Sequence, residues 1–377
     1  MVMPTHPPIY CIADHMHTSI GMGTAAHIRA LEDGQTGLQL YKTAFAKPVC
    51  CGLIQAPADA NSSHTTLEQR MIHSIIQALQ TTAVQLQDPQ TLLLIATTKG
   101  NIDVLEGTAP AHFPSRRAEL GALASAIGQA LHYWGTPIVV CNACTSGVLA
   151  LDIAKRYLRV GAYRHAVVVG GDLVTEFTLA GFQCLKALSG APCRPFDRAR
   201  DGISLGEGVG TLVLSVVEDG PVQLLGSASA NDANHISGPS RTGEGLYLAI
   251  QKTLADAHKT AQDIDYVCAH GTATIYNDEM EAQALKRVQL TAVPTHSLKG
   301  YWGHTLGAAG ILECIIAIQA LQRGALYPSW GFENSGTTIP LAIIQEYRQH
   351  PLTTCLKTAA GFGGSNAAIL FQTTAPL

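Results

Sequence analysis

Short apolar runs alternate along the chain with longer segments whose apolar residues recur at helical spacing. Runs rich in β-branched residues are typical of strands buried on both faces of a sheet. In the first half, the pattern predicts strands at residues 9–13, 91–98, 138–140 and 165–172, and helices at residues 21–31, 65–80, 119–134 and 148–158. Thr24 is the expected N-cap of the first helix. Strands and helices therefore alternate, which predicts an α/β fold with mostly parallel pairing.

A polar turn at residues 217–220 divides this pattern in two. After the turn, the pattern predicts strands at residues 222–229, 265–270, 294–299, 357–360 and 367–371, and helices at residues 243–258, 277–288 and 307–323. The element order of the first half is thus repeated, and residues 307–319 take the place of the helix that follows Cys144. We therefore expect two halves related by duplication, residues 1–217 and 218–377.

Cys144 lies in the turn between the predicted strand 138–140 and the helix that follows it. This arrangement places a nucleophile at a helix N-terminus, where unpaired N–H groups and the helix dipole favour a thiolate and supply an oxyanion donor. Cys141 and Cys144 also form a C-x-x-C pair, so a redox dithiol or a metal site is an alternative, although no second ligand pair accompanies them. An inert core cysteine is the remaining interpretation.

Two histidines and a glycine-rich segment are the other candidates for chemistry. His270 ends an apolar strand and is followed by Gly271 and small hydroxyl residues, at the position where α/β sheets place their sites. His304 stands among glycines at the start of a predicted helix. Considered alone, a structural histidine is as good an explanation as a catalytic one. Residues 361–366 contain too many glycines for a strand interior, which predicts a loop between two strands.

Composition narrows the class of protein. The 377 residues are 47% hydrophobic and 14% charged, which predicts a heavily buried protein whose surface is partly covered by another subunit. The net charge of −4 and the lack of a block rich in lysine and arginine give no sign of nucleic-acid binding. The ten cysteines are irregularly spaced, no run predicts a membrane span, and the start of the sequence does not resemble a signal peptide. We expect a cytoplasmic protein.

Four motifs, around Cys144, His270, His304 and the glycine loop, stand in an order that resembles the elongating β-ketoacyl-[acyl carrier protein] synthases of the thiolase superfamily. The resemblance implies a five-layer αβαβα thiolase-like fold with duplicated halves and mixed, mostly parallel sheets. It also implies decarboxylative Claisen condensation of an acyl thioester with malonyl-[acyl carrier protein], without a metal or a cofactor of its own, since the substrates are carried on the phosphopantetheine of acyl carrier protein. The implied partners are that carrier protein and a second synthase-like chain, as a homodimer or heterodimer built through the strand at residues 166–171.

The resemblance also implies a role for each matching residue. Cys144 would take the acyl chain, and His270 and His304 would bind the extender thioester and promote loss of carbon dioxide, supported electrostatically by Lys299. Phe362 would act as the gate and share the oxyanion hole with the backbone of Cys144. The remaining matches are the acidic network, Asp278, Glu281 and Glu313, and the phosphopantetheine-binding pair, Thr272 and Thr274.

Several positions depart from the family pattern. Residues 358–360 are Thr-Ala-Ala in place of Asn-Ser-Phe, Trp302 is unusually bulky, and residues 98–101 are polar near the expected acyl pocket. These differences indicate either a specialised polyene or polyketide substrate or drift in a fatty-acid enzyme. A catalytically weak, chain-length-factor-like partner subunit is the rival function, and a degradative thiolase would need a second cysteine near Phe362. Basic residues expected to meet the acidic carrier protein are Arg116, Arg117, Lys186, Arg194 and Arg198.

Overall fold

Strands and helices alternate through both halves of the chain, in the part that the computed structural model describes: residues 6–42, 48–107, 112–232 and 238–374. The strands are β1 (Tyr10–Thr18), β2 (Gly21–Met22), β3 (Gln39–Tyr41), β4 (Val49–Gly52), β5 (Thr91–Ala96), β6 (Ile138–Val140), β7 (His165–Asp172), β8 (Leu205–Gly206), β9 (Gly208–Ser215), β10 (Val222–Asn231), β11 (Tyr266–Cys268), β12 (Thr295–His296), β13 (Ala325–Leu326), β14 (Arg348–Gln349), β15 (Thr354–Gly361) and β16 (Ser365–Thr373). The helices are α1 (Thr24–Glu32), α2 (Thr66–Leu79), α3 (Leu120–Ala130), α4 (Ser146–Arg159), α5 (Glu176–Cys184), α6 (Glu244–Asp256), α7 (Ile275–Arg287), α8 (Lys299–Trp302) and α9 (Ala309–Arg323).

The two halves have the same sheet topology. The first half has the strand order β6-β5-β7-β9-β1, and the second has β12-β11-β15-β16-β10. In each half the first three strands pair in parallel and the remaining pairings are antiparallel. The sheets are therefore mixed, as predicted, although their parallel share is smaller than expected. They meet where β1 pairs with β10 over two residue pairs, Tyr10 with Gln223 and Cys11 with Val222.

Two central helices separate the sheets. α4 and α9 contact each other and strands of both sheets, whereas α2 and α3 cover the outer face of the first sheet and α6 and α7 that of the second. This is the predicted five-layer αβαβα arrangement. The segment Leu306–Arg323 is long and apolar enough to span a membrane by composition, but 83% of it is buried inside the protein. Its hydrophobicity is thus explained by its place in the middle layer.

Glycines allow the two central helices to approach closely at their N-termini. A Cβ atom on Gly147 would lie 2.8 Å from the backbone nitrogen of Ile311, and one on Gly310 would lie 2.6 Å from that of Val148. Such distances leave no room for a side chain at either position. The turns that precede α4 and α9 are therefore brought together, and these turns carry Cys144 and His304.

Several predicted elements differ from those observed. Gly23, not Thr24, is the N-cap of α1. The predicted strand 294–299 is only two residues long, because the chain turns into α8 at Lys299. The fully buried strand β9, which begins with two glycines in three residues, was not predicted. The predicted domain boundary at residues 217/218 stays a prediction; it lies in the connection between β9 and β10, and residues 1–5 and 375–377 lie outside the described part.

The predicted dimer strand at residues 166–171 is wrong. These residues belong to β7, which pairs with β5 on one side and β9 on the other. A strand with both edges paired cannot extend the sheet into a second subunit. In the described part of the chain, the strand at the outer end of the first sheet is β6.

Candidate active site

Cys144, His270 and His304 come together between the two halves. The sulfur of Cys144 and a ring nitrogen of each histidine lie within 4.8 Å of one another, and all three residues are buried. The two imidazole rings meet edge to face, with centroids 5.1 Å apart. The same three atoms could in principle hold a metal ion, so the absence of a metal stays a prediction. Cys141 is exposed and not joined to Cys144, and its Sγ lies 3.4 Å from the Thr98 carbonyl oxygen.

The turn that carries Cys144 is held in a strained backbone conformation. Ala143 has a φ of 44°, which a residue with a side chain adopts at a cost. The hydroxyl of Ser146 fixes the turn, because it accepts from the backbone nitrogen of Asn142 at 2.8 Å and donates to the carbonyl of Ala143 at 2.6 Å. The hydroxyl groups of Thr145 and Ser365 lie 2.8 Å apart, which ties the turn to the glycine loop.

The backbone of His304 is fixed by the segment before β9. His304 donates its N–H to the Ser204 carbonyl at 2.7 Å, and its own carbonyl accepts from Gly206 at 2.9 Å. A Cβ atom on Gly206 would lie 2.0 Å from the Trp302 carbonyl oxygen, so glycine is required there. The Trp302 ring is fully buried and lies edge-on to His27, with centroids 5.9 Å apart. Trp302 therefore fills the core and is not among the residues that line the pocket, so its bulk does not indicate a specialised substrate.

A buried lysine orients the first histidine. Lys299 Nζ donates to the carbonyl oxygen of His270 at 2.5 Å and lies 3.2 Å from its Nδ1. Because an ammonium group can only donate, Nδ1 must be the acceptor and the ring proton must reside on Nε2. The other ring, that of His304, has no protein partner on either nitrogen within the described residues. Both imidazoles can thus offer a nitrogen to a ligand.

Glu313 joins Lys299 to a second buried lysine that sequence reasoning missed. Its Oε1 lies 2.6 Å from Lys299 Nζ and its Oε2 lies 2.7 Å from Lys357 Nζ. The sequence does contain a signal, because Lys357 is a lone charge within the apolar strand β15. A lysine at such a position calls for a buried partner.

The other two predicted acids hold the loop after β11. Glu281 accepts from the backbone N–H groups of His270 at 2.8 Å and Gly271 at 2.5 Å. Asp278 accepts from the N–H groups of Thr272 at 2.9 Å and Phe196 at 2.7 Å. The hydroxyl of Thr358, where the family pattern has Asn, donates to Glu281 at 3.1 Å and accepts from the His270 N–H at 3.2 Å. This threonine therefore supports His270.

Burial sets the protonation states of the reactive groups. It lowers the pKa of His270 and His304 well below the ordinary value, and Lys299 lowers both further, so both rings are neutral. Burial also raises the pKa of the Cys144 thiol to about 12, although Lys299 opposes the effect. The expectation of a lowered thiol pKa is therefore wrong for the free protein, because desolvation outweighs the helix N-terminus.

A pocket of about 390 Å³ leads from the surface to the three reactive residues. Thr272 and Thr274 line it, with their hydroxyl oxygens 2.8 Å apart, and so do Lys186 and Ala360. Phe362 also lines it, and its ring packs on Phe182 with centroids 5.5 Å apart. The predicted phosphopantetheine-binding pair, Thr272 and Thr274, and the predicted gate, Phe362, thus line the pocket that leads to the reactive residues. Their roles stay predictions.

The polar residues at 98–101 are explained by structural contacts. Asp172, at the end of β7, accepts from the backbone nitrogens of Thr98 at 3.0 Å and Gly307 at 2.7 Å. Asn101 is fully buried and donates to Glu68 at 2.8 Å. None of residues 98–101 is among the described residues that line the pocket. Their polarity is therefore not evidence for a specialised substrate.

The basic residues expected to meet a carrier protein have different surroundings. Arg117 pairs with the buried Glu68 at 2.6 Å, which makes it structural. Arg194 lies 3.9 Å from Glu333, and Arg116 and Arg198 are exposed. Lys186 is exposed and lines the pocket. Lys186 is therefore the best placed of the five.

Comparison with known families agrees with this geometry. Residues 73–220 match the family Beta-ketoacyl synthase, N-terminal domain, and residues 222–333 match Beta-ketoacyl synthase, C-terminal domain. The chain belongs to the β-ketoacyl synthase family. The family prediction from sequence is thereby confirmed, although Lys357 and Phe362 lie beyond the matched residues.

Individual β-ketoacyl synthases are moderately similar to the chain. The 3-oxoacyl-[acyl-carrier-protein] synthase 2 of Rhizobium meliloti is 32% identical over 70% of this chain, and the alignment spans 66% of that relative's length. The chloroplastic 3-oxoacyl-[acyl-carrier-protein] synthase I of Arabidopsis thaliana is 30% identical, and the alignment spans 60% of that relative's length. The 3-oxoacyl-[acyl-carrier-protein] synthase 2 of Vibrio harveyi is 28% identical and covers 95% of this chain and 96% of the relative.

Solved ketosynthase structures share the fold over nearly the whole chain. A ketosynthase in complex with its chain length factor, from Xenorhabdus doucetiae, superimposes with a TM-score of 0.88 at 24% identity, covering 99% of this chain and 100% of that one. A β-ketoacyl synthase from Burkholderia phymatum gives the same TM-score and identity, covering 98% and 100%. These likenesses confirm the thiolase-like fold.

Proposed function

We propose that the chain catalyses the decarboxylative Claisen condensation of an acyl thioester, held on Cys144, with malonyl-[acyl carrier protein], in the cytoplasm. The observation that carries the proposal is the placement of one thiol and two neutral imidazoles within 4.8 Å at the end of a pocket. A thiol provides the covalent acyl carrier, and neutral imidazoles provide N–H donors for an enolate oxygen. Membership of the β-ketoacyl synthase family supports the same reaction.

The first step transfers the acyl group to the enzyme. The sulfur of Cys144 attacks the carbonyl of the acyl thioester, the bond to the phosphopantetheine sulfur breaks, and the thiol proton passes to the departing sulfur. Because the thiol is protonated in the free protein, a neutral imidazole within 4.8 Å relays that proton. The backbone N–H groups of Cys144 and Phe362 would bind the oxyanion.

The second step forms the carbon–carbon bond. The malonyl thioester loses its carboxylate as carbon dioxide, and the electron pair of the broken bond forms an enolate whose oxygen accepts from His270 and His304. The enolate carbon then attacks the acyl carbonyl, the bond to the Cys144 sulfur breaks to release a β-ketoacyl thioester, and the departing thiolate takes up a proton from solvent to restore the thiol. Burial of the site strengthens these hydrogen bonds, because water does not compete for the oxygen.

The proposed partners are acyl carrier protein and a second synthase-like chain. The phosphopantetheine arm would enter past Thr272 and Thr274, which line the pocket. Two similar structures are ketosynthases with a chain length factor, which supports a heterodimer as well as a homodimer. A catalytically weak partner subunit remains the rival function; the complete set of Cys144, His270 and His304 favours the enzyme. Fatty-acid elongation and polyene or polyketide elongation are equally compatible with the site.

Intact-protein mass spectrometry with a panel of acyl-[acyl carrier protein] thioesters tests the proposal. We expect one acyl group per chain on wild type and none on Cys144→Ala, whereas His304→Ala should still be acylated, but more slowly, because the thiol proton loses its relay. Malonyl-[acyl carrier protein] should then give a β-ketoacyl product with wild type alone, and decarboxylation by His304→Ala should be slower by on the order of 10²–10³. Condensation by Cys144→Ala would contradict the proposal. So would a wild-type protein that, in the presence of its partner chain, accepts no acyl group from any of the thioesters.

A further inference from the structure

Lys357 is a fully buried lysine on β15 to which the proposed mechanism assigns no part. Its Nζ lies 2.7 Å from Glu313 Oε2 and also donates to the carbonyl of Thr358. Removing an ammonium group from water is costly, so a core position normally holds an apolar residue unless the charge is needed. Leu356 and Ala359, on the same strand, are such residues.

The lysine completes a balanced set of charges. Glu313 is bracketed by Lys299 and Lys357, one on each carboxylate oxygen. Glu281 is the other fully buried glutamate in the network and binds the backbone of His270. Two lysines thus face two glutamates. With Lys299 alone, the network around the imidazoles would hold one more negative than positive charge.

We propose that Lys357 is a positioning residue that acts through Glu313 to keep His270 and His304 neutral during catalysis. The inference rests on the proposed function, in which each imidazole offers an N–H to an enolate. A surplus negative charge in this network would favour protonation of the rings, and a doubly protonated imidazole could not take up the thiol proton of Cys144. Lys357 removes the surplus.

The ionisable groups around the network support this assignment. Those that face the imidazoles or Lys357 are Cys144 before α4, Cys268 on β11, Glu281 on α7, His296 on β12, Lys299 on α8, Glu313 and Cys314 on α9, and Cys355 on β15. After burial and Lys299, the positive charge of Lys357 further lowers the pKa of both His270 and His304. Burial lowers the pKa of Lys357, but Glu313 and the other neighbours raise it to above its ordinary value, so Lys357 stays charged.

A purely structural role would also be compatible with the contacts, so the test must separate charge from hydrogen bonding. Lys357→Met removes both the charge and the donor to Glu313. Lys357→Gln removes the charge but keeps an N–H donor. If the charge matters, the two variants behave alike; if Lys357 only holds Glu313 in place, Lys357→Gln resembles wild type. Lys357→Gln alone still tests the charge if Lys357→Met does not fold, because it keeps the donor.

The measurement is the NMR titration of the histidine rings in the free protein, with His270 and His304 assigned by substitution and exposed His258 as internal reference. We expect both rings to take up a proton about one pH unit higher in Lys357→Met and Lys357→Gln than in wild type. On the acidic limb of malonyl decarboxylation, this shift corresponds to a loss of about tenfold.

If both variants keep neutral rings at every pH at which wild type does, the inference is overturned. It is also overturned if only Lys357→Met shifts, since the effect would then be one of hydrogen bonding. Because the titration needs no substrate, its outcome is independent of the acylation experiment. A protein with shifted histidines but no condensation would retain the inference about charge and contradict the proposed function.

Discussion

Gly147 and Gly310 lie against each other's helices at the point where α4 and α9 begin, so the turn of Cys144 and the turn of His304 meet with no side chain between them. A methyl group on Gly310 would lie 2.6 Å from the backbone nitrogen of Val148. Backbone cannot yield as a flexible side chain does, so one helix must move.

Gly310→Ala should therefore lower the free energy of unfolding by about 1–3 kcal/mol and slow acylation of Cys144. Urea unfolding and intact mass spectrometry measure the two effects. Gly121→Ala, in α3, is the matched control, because a methyl group at that position would meet nothing within 4 Å. It should be neutral or stabilising by up to about 1 kcal/mol. Equal effects of both substitutions would argue against the close helix contact.

The raised thiol pKa predicts how Cys144 reacts in the free protein. Since the pKa is about 12, the thiolate fraction should rise about tenfold per pH unit throughout the neutral and moderately alkaline range. Alkylation by iodoacetamide, resolved from that of exposed Cys141 and Cys184 by peptide mass spectrometry, checks this. A rate for Cys144 that levels off below about pH 9 would show a thiolate stabilised beyond what burial allows.

Asp172 should make the protein's stability depend on pH. Burial raises its pKa from 3.8 to about 6, so between these values the folded protein holds a proton that the unfolded chain has lost. The free energy of unfolding therefore decreases as the pH rises through this window. At about 1.36 kcal/mol per pH unit, the decrease from this group is at most about 3 kcal/mol.

Asp172→Asn lacks this titration, and its amide cannot accept from all the backbone nitrogens that Asp172 binds. We expect it to be less stable than wild type, with a difference that narrows between about pH 4 and pH 7 in urea unfolding. Asp219→Asn, at an exposed turn, should keep the wild-type slope. A constant difference for Asp172→Asn would refute the assigned pKa.

Lys186 should contribute to recognition of the acidic carrier protein. It is exposed at the pocket, so Lys186→Glu is expected to raise KM for malonyl-[acyl carrier protein] about tenfold at low salt while changing kcat little. Lys252→Glu, on the outer helix α6, is the control for net charge. An unchanged KM for Lys186→Glu would place the docking surface elsewhere.

The sequence pattern was most informative where one periodicity extends over a whole element. α2 was predicted at 65–80 and spans Thr66–Leu79, and β7 was predicted with its observed bounds. Strand β9 was not predicted. It contains Gly208 and Gly210, where an added Cβ atom would lie 2.6 Å and 2.9 Å from the side chain of Leu312. When a glycine is required by a side chain that is distant in the sequence, the residues around the glycine do not reveal the reason for it.

The site was predictable as a set of residues but not in its electrostatics. The structure brings the predicted Cys144, His270 and His304 to one pocket and Lys299 into contact with His270. The pKa of the Cys144 thiol, in contrast, depends on burial in the assembled protein. Lys357 was overlooked because its meaning depends on Glu313, which lies far away in the sequence and on another element. Charge balance in a core is a property of the assembled network.

The end of β7 closes on the start of α9 through Asp172 and Gly307, and the end of its counterpart β15 closes on the start of α4, where the Cβ position of Gly361 lies 3.1 Å from the Cys144 nitrogen. The two halves thus hold each other in equivalent ways, each through the end of a strand that contacts the start of the other half's central helix. One of these helix starts carries the proposed nucleophile and the other follows an imidazole. Neither half alone could therefore assemble the proposed site.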